Sequence, residues 1–253
     1  MLGYFPNLPY HVAVIGAASG IGRETASFLA TQGVSVACID RNAAGAEETA
    51  KSITSTQGKA VAGAADVTDD ASVPRALDAA EKALGPIHGL VNCAGITGKT
   101  NLKGHEVDLA DFDAVYRINL RGAMVLSKAV LPRMLARNYG RVLHVASIAG
   151  KEGNAAMAAY AATKAGVIGL VKSLGKDYAE TGVTINALAP AVIRTPMVDA
   201  LPETVVKYMT DKIPMKRCGE LQEAAQLIAW IVSPACSFTT GFTFDLSGGR
   251  ATY

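Results

Sequence analysis

Tyr160 and Lys164 stand four residues apart in an Ala-rich stretch that reads as helix. At that spacing both side chains lie on one face, one turn from each other. A phenol with an ordinary pKa of about 10 is a poor acid–base catalyst at neutral pH. A neighbouring ammonium stabilises the phenolate and brings it into use. The pair alone is a common coincidence, so its weight comes from context. Ser147 supplies that context, following the apolar run Val142–Ala146 and preceding Tyr160 by 13 residues. At the carboxyl end of a parallel strand, where ligands gather, its hydroxyl can donate to a substrate oxygen.

A second group of residues suits a nucleotide. Gly16-Ala17-Ala18-Ser19-Gly20-Ile21-Gly22 follows an apolar run ending in Ile15 and opens a helical pattern. Glycines let the backbone turn sharply and approach a pyrophosphate, and a helix N-terminus offers that anion unpaired N–H groups. Asp40 ends the next apolar run, 24 residues after Gly16. Its carboxylate can accept from both adenosine ribose hydroxyls and would repel a 2′-phosphate. Asp is also a good N-cap for the following helix, and the two roles are compatible. Arg41 could hold a 2′-phosphate, but Asp40 stands in front of it and the loop offers Ser19 rather than a basic residue. NAD is therefore the expected cofactor.

The elements that must position these groups alternate along the chain. Strand patterns fall at His11–Ile15, Val34–Asp40, Ala60–Ala64, Ile87–Asn92, Arg141–Ala146, Val183–Ala189 and Phe242–Leu246. Helical patterns fall at Ile21–Gln32, Ala43–Thr56, Ala71–Leu84, Ala110–Arg137, Ala155–Glu180 and Leu221–Val232. Strand and helix in alternation predict parallel strands joined by crossovers, with helices on both faces: a doubly wound α/β sheet. Gly33 and Gly58 read as C′ residues, Gly85-Pro86 as a helix stop, and Asp66 to Asp70 as capping residues. Pro74 and Pro132 sit awkwardly inside helical patterns. With no repeat or linker in 253 residues, one domain over 1–253 is expected.

Composition narrows the classes. Charge is nearly balanced, at +2, and no basic stripe suggests nucleic acid. No apolar run approaches the ~20 residues that span a bilayer. Met1 to Tyr10 lacks the charged and apolar regions of a signal peptide. The four cysteines are scattered without a C-x-x-C pair. A cytoplasmic protein without a metal site is the expectation. Arg133, Arg137 and Arg141 read as a solvated face. Leu221–Val232, with Trp230, reads as core or subunit interface.

Taken together, these motifs resemble the short-chain dehydrogenase/reductase family along essentially the whole chain. The cofactor loop is similar to Gly16–Gly22, with Ile15 where a threonine is usual. The family's Asn-Asn-Ala-Gly resembles Asn92-Cys93-Ala94-Gly95, with Cys93 as the departure, and its adenine-contacting Asp-Val resembles Asp66-Val67. Its tetrad maps onto Asn119, Ser147, Tyr160 and Lys164. Its Pro-Gly appears as Pro190-Ala191, followed by Ile193-Arg194-Thr195, whose Thr meets the nicotinamide amide. The resemblance implies a Rossmann-type sheet in the order 3-2-1-4-5-6-7, usually within a homotetramer. It also implies roles. Tyr160 moves the proton, Ser147 steadies the substrate oxygen, and Lys164 lowers the Tyr160 pKa and holds the nicotinamide ribose. Asn119 binds a water in a proton relay to Lys164.

The substrate is the least legible part. Lys151 and Asn154 follow Ser147 closely, and Arg194 and His144 are further partners for a carboxylate. His144 has a competing reading as a satisfied core histidine. Segment 191–217, with Pro196, Pro202 and Pro214, reads as an irregular lid over the substrate. Ser147–Asn154 is similar to members that act on sugar acids, such as 2-keto-3-deoxy-L-rhamnonate or L-fuconate dehydrogenases. It is also similar to 3-oxoacyl-carrier-protein reductases, which favour NADPH. An NAD-linked oxidoreductase for a small hydroxy acid or sugar acid is expected. The alternatives are an NADPH-linked oxoacyl reductase and an idle NAD-binding subunit.

Overall fold

Runs of Val, Ile and Ala send alternate side chains to opposite faces, so each such strand needs an apolar layer on both sides. The computed structural model, which describes residues 3–5, 9–200, 202–251 and 253, meets that need with one seven-stranded sheet. Its strands are β1 (His11–Ile15), β2 (Ser35–Asp40), β3 (Ala60–Ala64), β4 (Gly89–Asn92), β5 (Gly140–Val145), β6 (Val183–Pro190) and β7 (Thr243–Leu246). All pair in parallel, in the order β3-β2-β1-β4-β5-β6-β7. The expected strand order is observed.

The helices are α1 (Gly20–Thr31), α2 (Ala43–Ser55), α3 (Ser72–Leu84), α4 (Leu109–Tyr116), α5 (Gly122–Leu135), α6 (Ile148–Glu152), α7 (Ala158–Asp177), α8 (Pro196–Asp199), α9 (Glu203–Asp211) and α10 (Leu221–Ile231). On one face Ile15, Ile39, Leu90, Val142 and Ile185 pack under α3, α5 and α7. On the other, Val14, Val36, Val91, Leu143 and Leu188 pack under α1 and α10. The chain reverses its winding between β1 and β4, where Ile15 is level with Asn92. A crevice opens beyond the strand ends there, and the glycine loop fills its rim.

Several local readings change. The stretch 110–137 is not one helix: α4 and α5 are joined by a π turn, Arg117–Arg121. The stretch 155–180 starts later, at Ala158, and α6 precedes it as a separate piece. Segment 191–217 holds α8 and α9 instead of irregular chain, because Pro196 and Pro202 start helices rather than break them. Leu201 lies outside the described residues. Pro74 sits in the first turn of α3, where a missing N–H costs nothing, and Pro132 lies inside α5. After α2 the left-handed residue is Gln57, with φ 66°; Gly58 is there for space, since a Cβ would lie 2.6 Å from Ile53 Cγ2. Asp66 to Asp70 do not cap α3, whose N-cap is Ala71; Asp69 accepts from the Ala71 N–H instead.

The arginine trio is not a solvated face. Arg141 is buried on β5, donating to the carbonyls of Gly140, Gly182 and Ser233. Arg133 binds Glu81 and Asp78, and Arg137 also reaches Glu81, tying α5 to α3. Their partners come from distant parts of the chain, which spacing alone does not reveal. No helix among the described residues is long and apolar enough to cross a membrane.

Candidate active site

Ser147 follows the last residues of β5 and caps α6, its Oγ accepting from Ala149 N–H at 3.1 Å. Its hydroxyl proton is left for another acceptor. α6 is pressed onto α7: a Cβ on Gly150 would lie 2.6 Å from the Lys164 carbonyl carbon. That contact brings Ser147 to the helix carrying Tyr160 and Lys164. Lys164 reaches back over the sheet, its Nζ donating to the Val145 carbonyl at 2.7 Å. Burial pushes its ammonium down to about 8.

Tyr160 stands on α7 and lines the same cavity as Ser147 and Lys164. Burial raises its phenol, and the one group acting the other way is Ser147, through a hydrogen bond. The Lys164 ammonium, while donating to Val145, lies 5.7 Å from the Tyr160 ring centroid.

Asn119 sits in the π turn, almost fully buried. Its Oδ1 accepts from Ile96 N–H at 2.9 Å, and its Nδ2 donates to the Ile96 carbonyl and to Thr163 Oγ1. The extra residue of a π turn re-aims a side chain that an unbroken α-helix would send elsewhere. Across Gly95, Asn119 faces Lys164: a Cβ there would lie 3.2 Å from Asn119 Oδ1 and 3.3 Å from Lys164 Nζ.

Beside this group runs a cleft of about 410 Å³. Gly16, Ser19, Gly20, Ile21, Gly22, Asp40, Arg41, Asp66, Val67, Ala94, Gly95 and Thr195 all line it. It adjoins a smaller cavity of about 220 Å³ holding Ser147, Tyr160, Lys164 and Pro190. The cleft fits a dinucleotide on three observations. A Cβ on Gly16 would lie 2.9 Å from Ala94 N, and one on Gly22 2.1 Å from the Gly16 carbonyl oxygen, so neither position tolerates a side chain. The N-terminus of α1 opens on the cleft with no side-chain cap and no acidic residue in its first turn, leaving its N–H groups to an anion. Asp40 stands on the rim with both oxygens fixed, accepting from Ala18 N–H at 2.9 Å and Asn42 N–H at 2.8 Å. Asn42, not Asp40, caps α2.

Other expected residues lie elsewhere. Asn92 is buried behind the cleft and supports it through the Ala94 N–H. Asp66 does line the cleft, its carboxyl held below the usual range by hydrogen bonds from the Thr68 N–H and hydroxyl. Ile193 turns inward against Gly219 instead of lining the cleft. His144 is fully buried, both ring nitrogens taken by Asn92 and Ser127, so it is no substrate ligand. Lys151 is paired with Asp245 at 2.8 Å, its charge already answered. Asn154 accepts from Arg250. Arg194 is half-exposed, within 3.7 Å of Asp199 and 4.0 Å of Glu220. Sequence reasoning missed Cys93, Ile96 and Val145, which line both cavities. Cys93 carried a signal as the one oddity of its motif; its thiol is pushed up to about 12 by burial.

Residues 10–205 match the family model for the short chain dehydrogenases. The chain belongs to that family. It is an oxidoreductase acting on CH–OH groups, from a nucleotide-binding family. A 2-dehydro-3-deoxy-L-rhamnonate dehydrogenase (NAD(+)) of Sphingomonas sp. strain SKA58 is 44% identical over 240 residues, 95% of this chain and 94% of the relative. A 3-oxoacyl-[acyl-carrier-protein] reductase of Thermotoga maritima is 34% identical over 236 residues, 93% of this chain and 95% of the relative. The crystal structure of levodione reductase superposes with a TM-score of 0.91 at 33% identity, covering 96% of this chain and 98% of that one.

Proposed function

We propose that the protein interconverts a secondary alcohol and a ketone with NAD as coenzyme, oxidising a small hydroxy acid or sugar acid of the 2-keto-3-deoxy kind. The observation that carries the reaction type is the convergence of Ser147, Tyr160 and Lys164 beside a dinucleotide-sized cleft. The sugar-acid preference draws on the 44% identical relative, since His144 and Lys151 no longer speak for it.

The glycine loop, the open α1 terminus and Asp40 hold the coenzyme, which supplies the hydride-accepting carbon when bound. Ser147 Oγ–H donates to the substrate oxygen, its own lone pair being fixed by Ala149. Tyr160 takes the hydroxyl proton, and its burial makes the phenolate a strong base once formed. Lys164, anchored on Val145, keeps two N–H donors for the ribose and for a water shared with Asn119. Segment 191–217, stitched at its base by the Ile193–Gly219 bridge, covers the substrate. Exposed Leu109, Tyr116 and Met124 beside the small residues of α7 suit assembly into a homotetramer.

A second reading, an NADPH-linked oxoacyl reductase, draws on Arg41, which lines the same cleft. Asp40 opposes it by charge. Tyr160→Phe tests the mechanism: turnover falls about 10²- to 10⁴-fold while NADH still binds. Retained turnover would remove Tyr160 from the chemistry.

A further inference from the structure

Three residues before Ser147, β5 carries a histidine that this chemistry does not use. The His144 ring is sealed from solvent, with Nδ1 3.1 Å from Asn92 Nδ2 and Nε2 2.9 Å from Ser127 Oγ. The proton positions follow from the neighbours. The Ser127 hydroxyl donates to the Ala123 carbonyl at 2.9 Å, so its one proton is spent and its oxygen accepts from the imidazole. Nε2 therefore carries the hydrogen, and bare Nδ1 accepts from the Asn92 amide. Asn92 Oδ1 in turn accepts from Ala94 N–H at 3.1 Å. The bonds run one way, from Ala94 N–H to the Ala123 carbonyl, each donor with one acceptor. An imidazolium would turn a second N–H onto Asn92 and break the chain. Burial keeps the ring neutral, pushing its pKa down to about 4, and Lys164 acts in the same direction.

Ala94 and Gly95 form one wall of the larger cleft, and Gly95 also lines the smaller cavity, resting against Asn119 Oδ1 and Lys164 Nζ. Whatever fixes Asn92 fixes that wall. The geometry points to His144 as a positioning residue that, through Asn92, sets the Ala94–Gly95 wall against the coenzyme. This rests on the reading of the cleft as a nicotinamide coenzyme site. His144 reaches coenzyme and substrate only through that chain.

The test compares His144→Phe, which keeps a ring but neither bond, with His144→Asn, whose Oδ1 replaces the acceptor facing Asn92. NADH affinity is measured by titration well below the unfolding temperature. His144→Phe weakens NADH binding about tenfold, and His144→Asn restores it to within about threefold. A purely structural role lowers Tm in His144→Phe and leaves NADH affinity unchanged; that result overturns the inference. Imidazole ¹⁵N shifts of the wild-type protein give a second, fold-independent check. The Nε2–H tautomer supports the chain, and Nδ1–H overturns it. A wild-type protein that binds neither NADH nor NADPH overturns the reading of the cleft and the inference with it. Binding wild type with unchanged His144→Phe affinity overturns the inference alone.

Discussion

Lys164 Nζ donates to the carbonyl of Val145 at 2.7 Å, tying helix α7 to the end of strand β5. Both ends of that bond are buried or nearly so, and the ammonium is already pushed down to about 8. Removing it costs twice, since the Val145 carbonyl loses its donor and Tyr160 its charged neighbour. Lys164→Met is expected to lower kcat about 10²-fold or more. It should also lower Tm, the carbonyl being left unpaired. Parallel steady-state rates and thermal unfolding check both; full activity in a destabilised variant would confine Lys164 to structure.

On the proposed reading Asp40 selects the coenzyme by charge, while its two oxygens brace the Ala18 and Asn42 amides. Asp40→Asn keeps an acceptor and drops the charge. NADP⁺ should gain about tenfold or more in kcat/KM relative to NAD⁺, because the 2′-phosphate no longer meets a carboxylate. An unchanged ratio would pass control of specificity to Arg41.

Acid should weaken the fold for a specific reason. Burial lowers both His144 and His88 from 6.5 to about 4, helped by Lys164 at His144 and by His11 and Arg137 at His88. Between those values the unfolded chain binds more protons than the native one. Stability is therefore full above about pH 6.5 and is lost as pH falls toward about 4. Thermal unfolding from about pH 8 to about pH 4.5 should show Tm falling across that window, less steeply in His144→Asn. A slope identical to wild type would mean His144 does not stay neutral.

Much of this was legible in the sequence, for reasons that also mark the limit. Short apolar runs of small and β-branched residues gave β1 and β3 to the residue, and the glycine loop announced itself because the close backbone packing at Gly16 and Gly22 admits no side chain. The π turn at Arg117–Arg121 left no trace, since nothing in its residue types departs from an ordinary helix. Lys151 and Arg141 were misjudged because the groups that answer them, Asp245 and the Ser233 carbonyl, lie more than 90 positions away in the chain. His144 showed only its type; its bonds depend on α5 and β4 meeting over β5.

The central claim is an NAD-linked exchange between a secondary alcohol and a ketone at Tyr160. The most direct test follows absorbance at the reduced-nicotinamide band across a panel of hydroxy acids, sugar acids and plain secondary alcohols. NAD⁺ and NADP⁺ are compared, Tyr160→Phe is the control, and matching ketones and 3-oxoacyl thioesters are run in reverse. Turnover of a hydroxy acid or sugar acid with NAD⁺, at least about tenfold above NADP⁺ and lost in Tyr160→Phe, is the predicted result. Turnover confined to NADPH with a 3-oxoacyl thioester would contradict it.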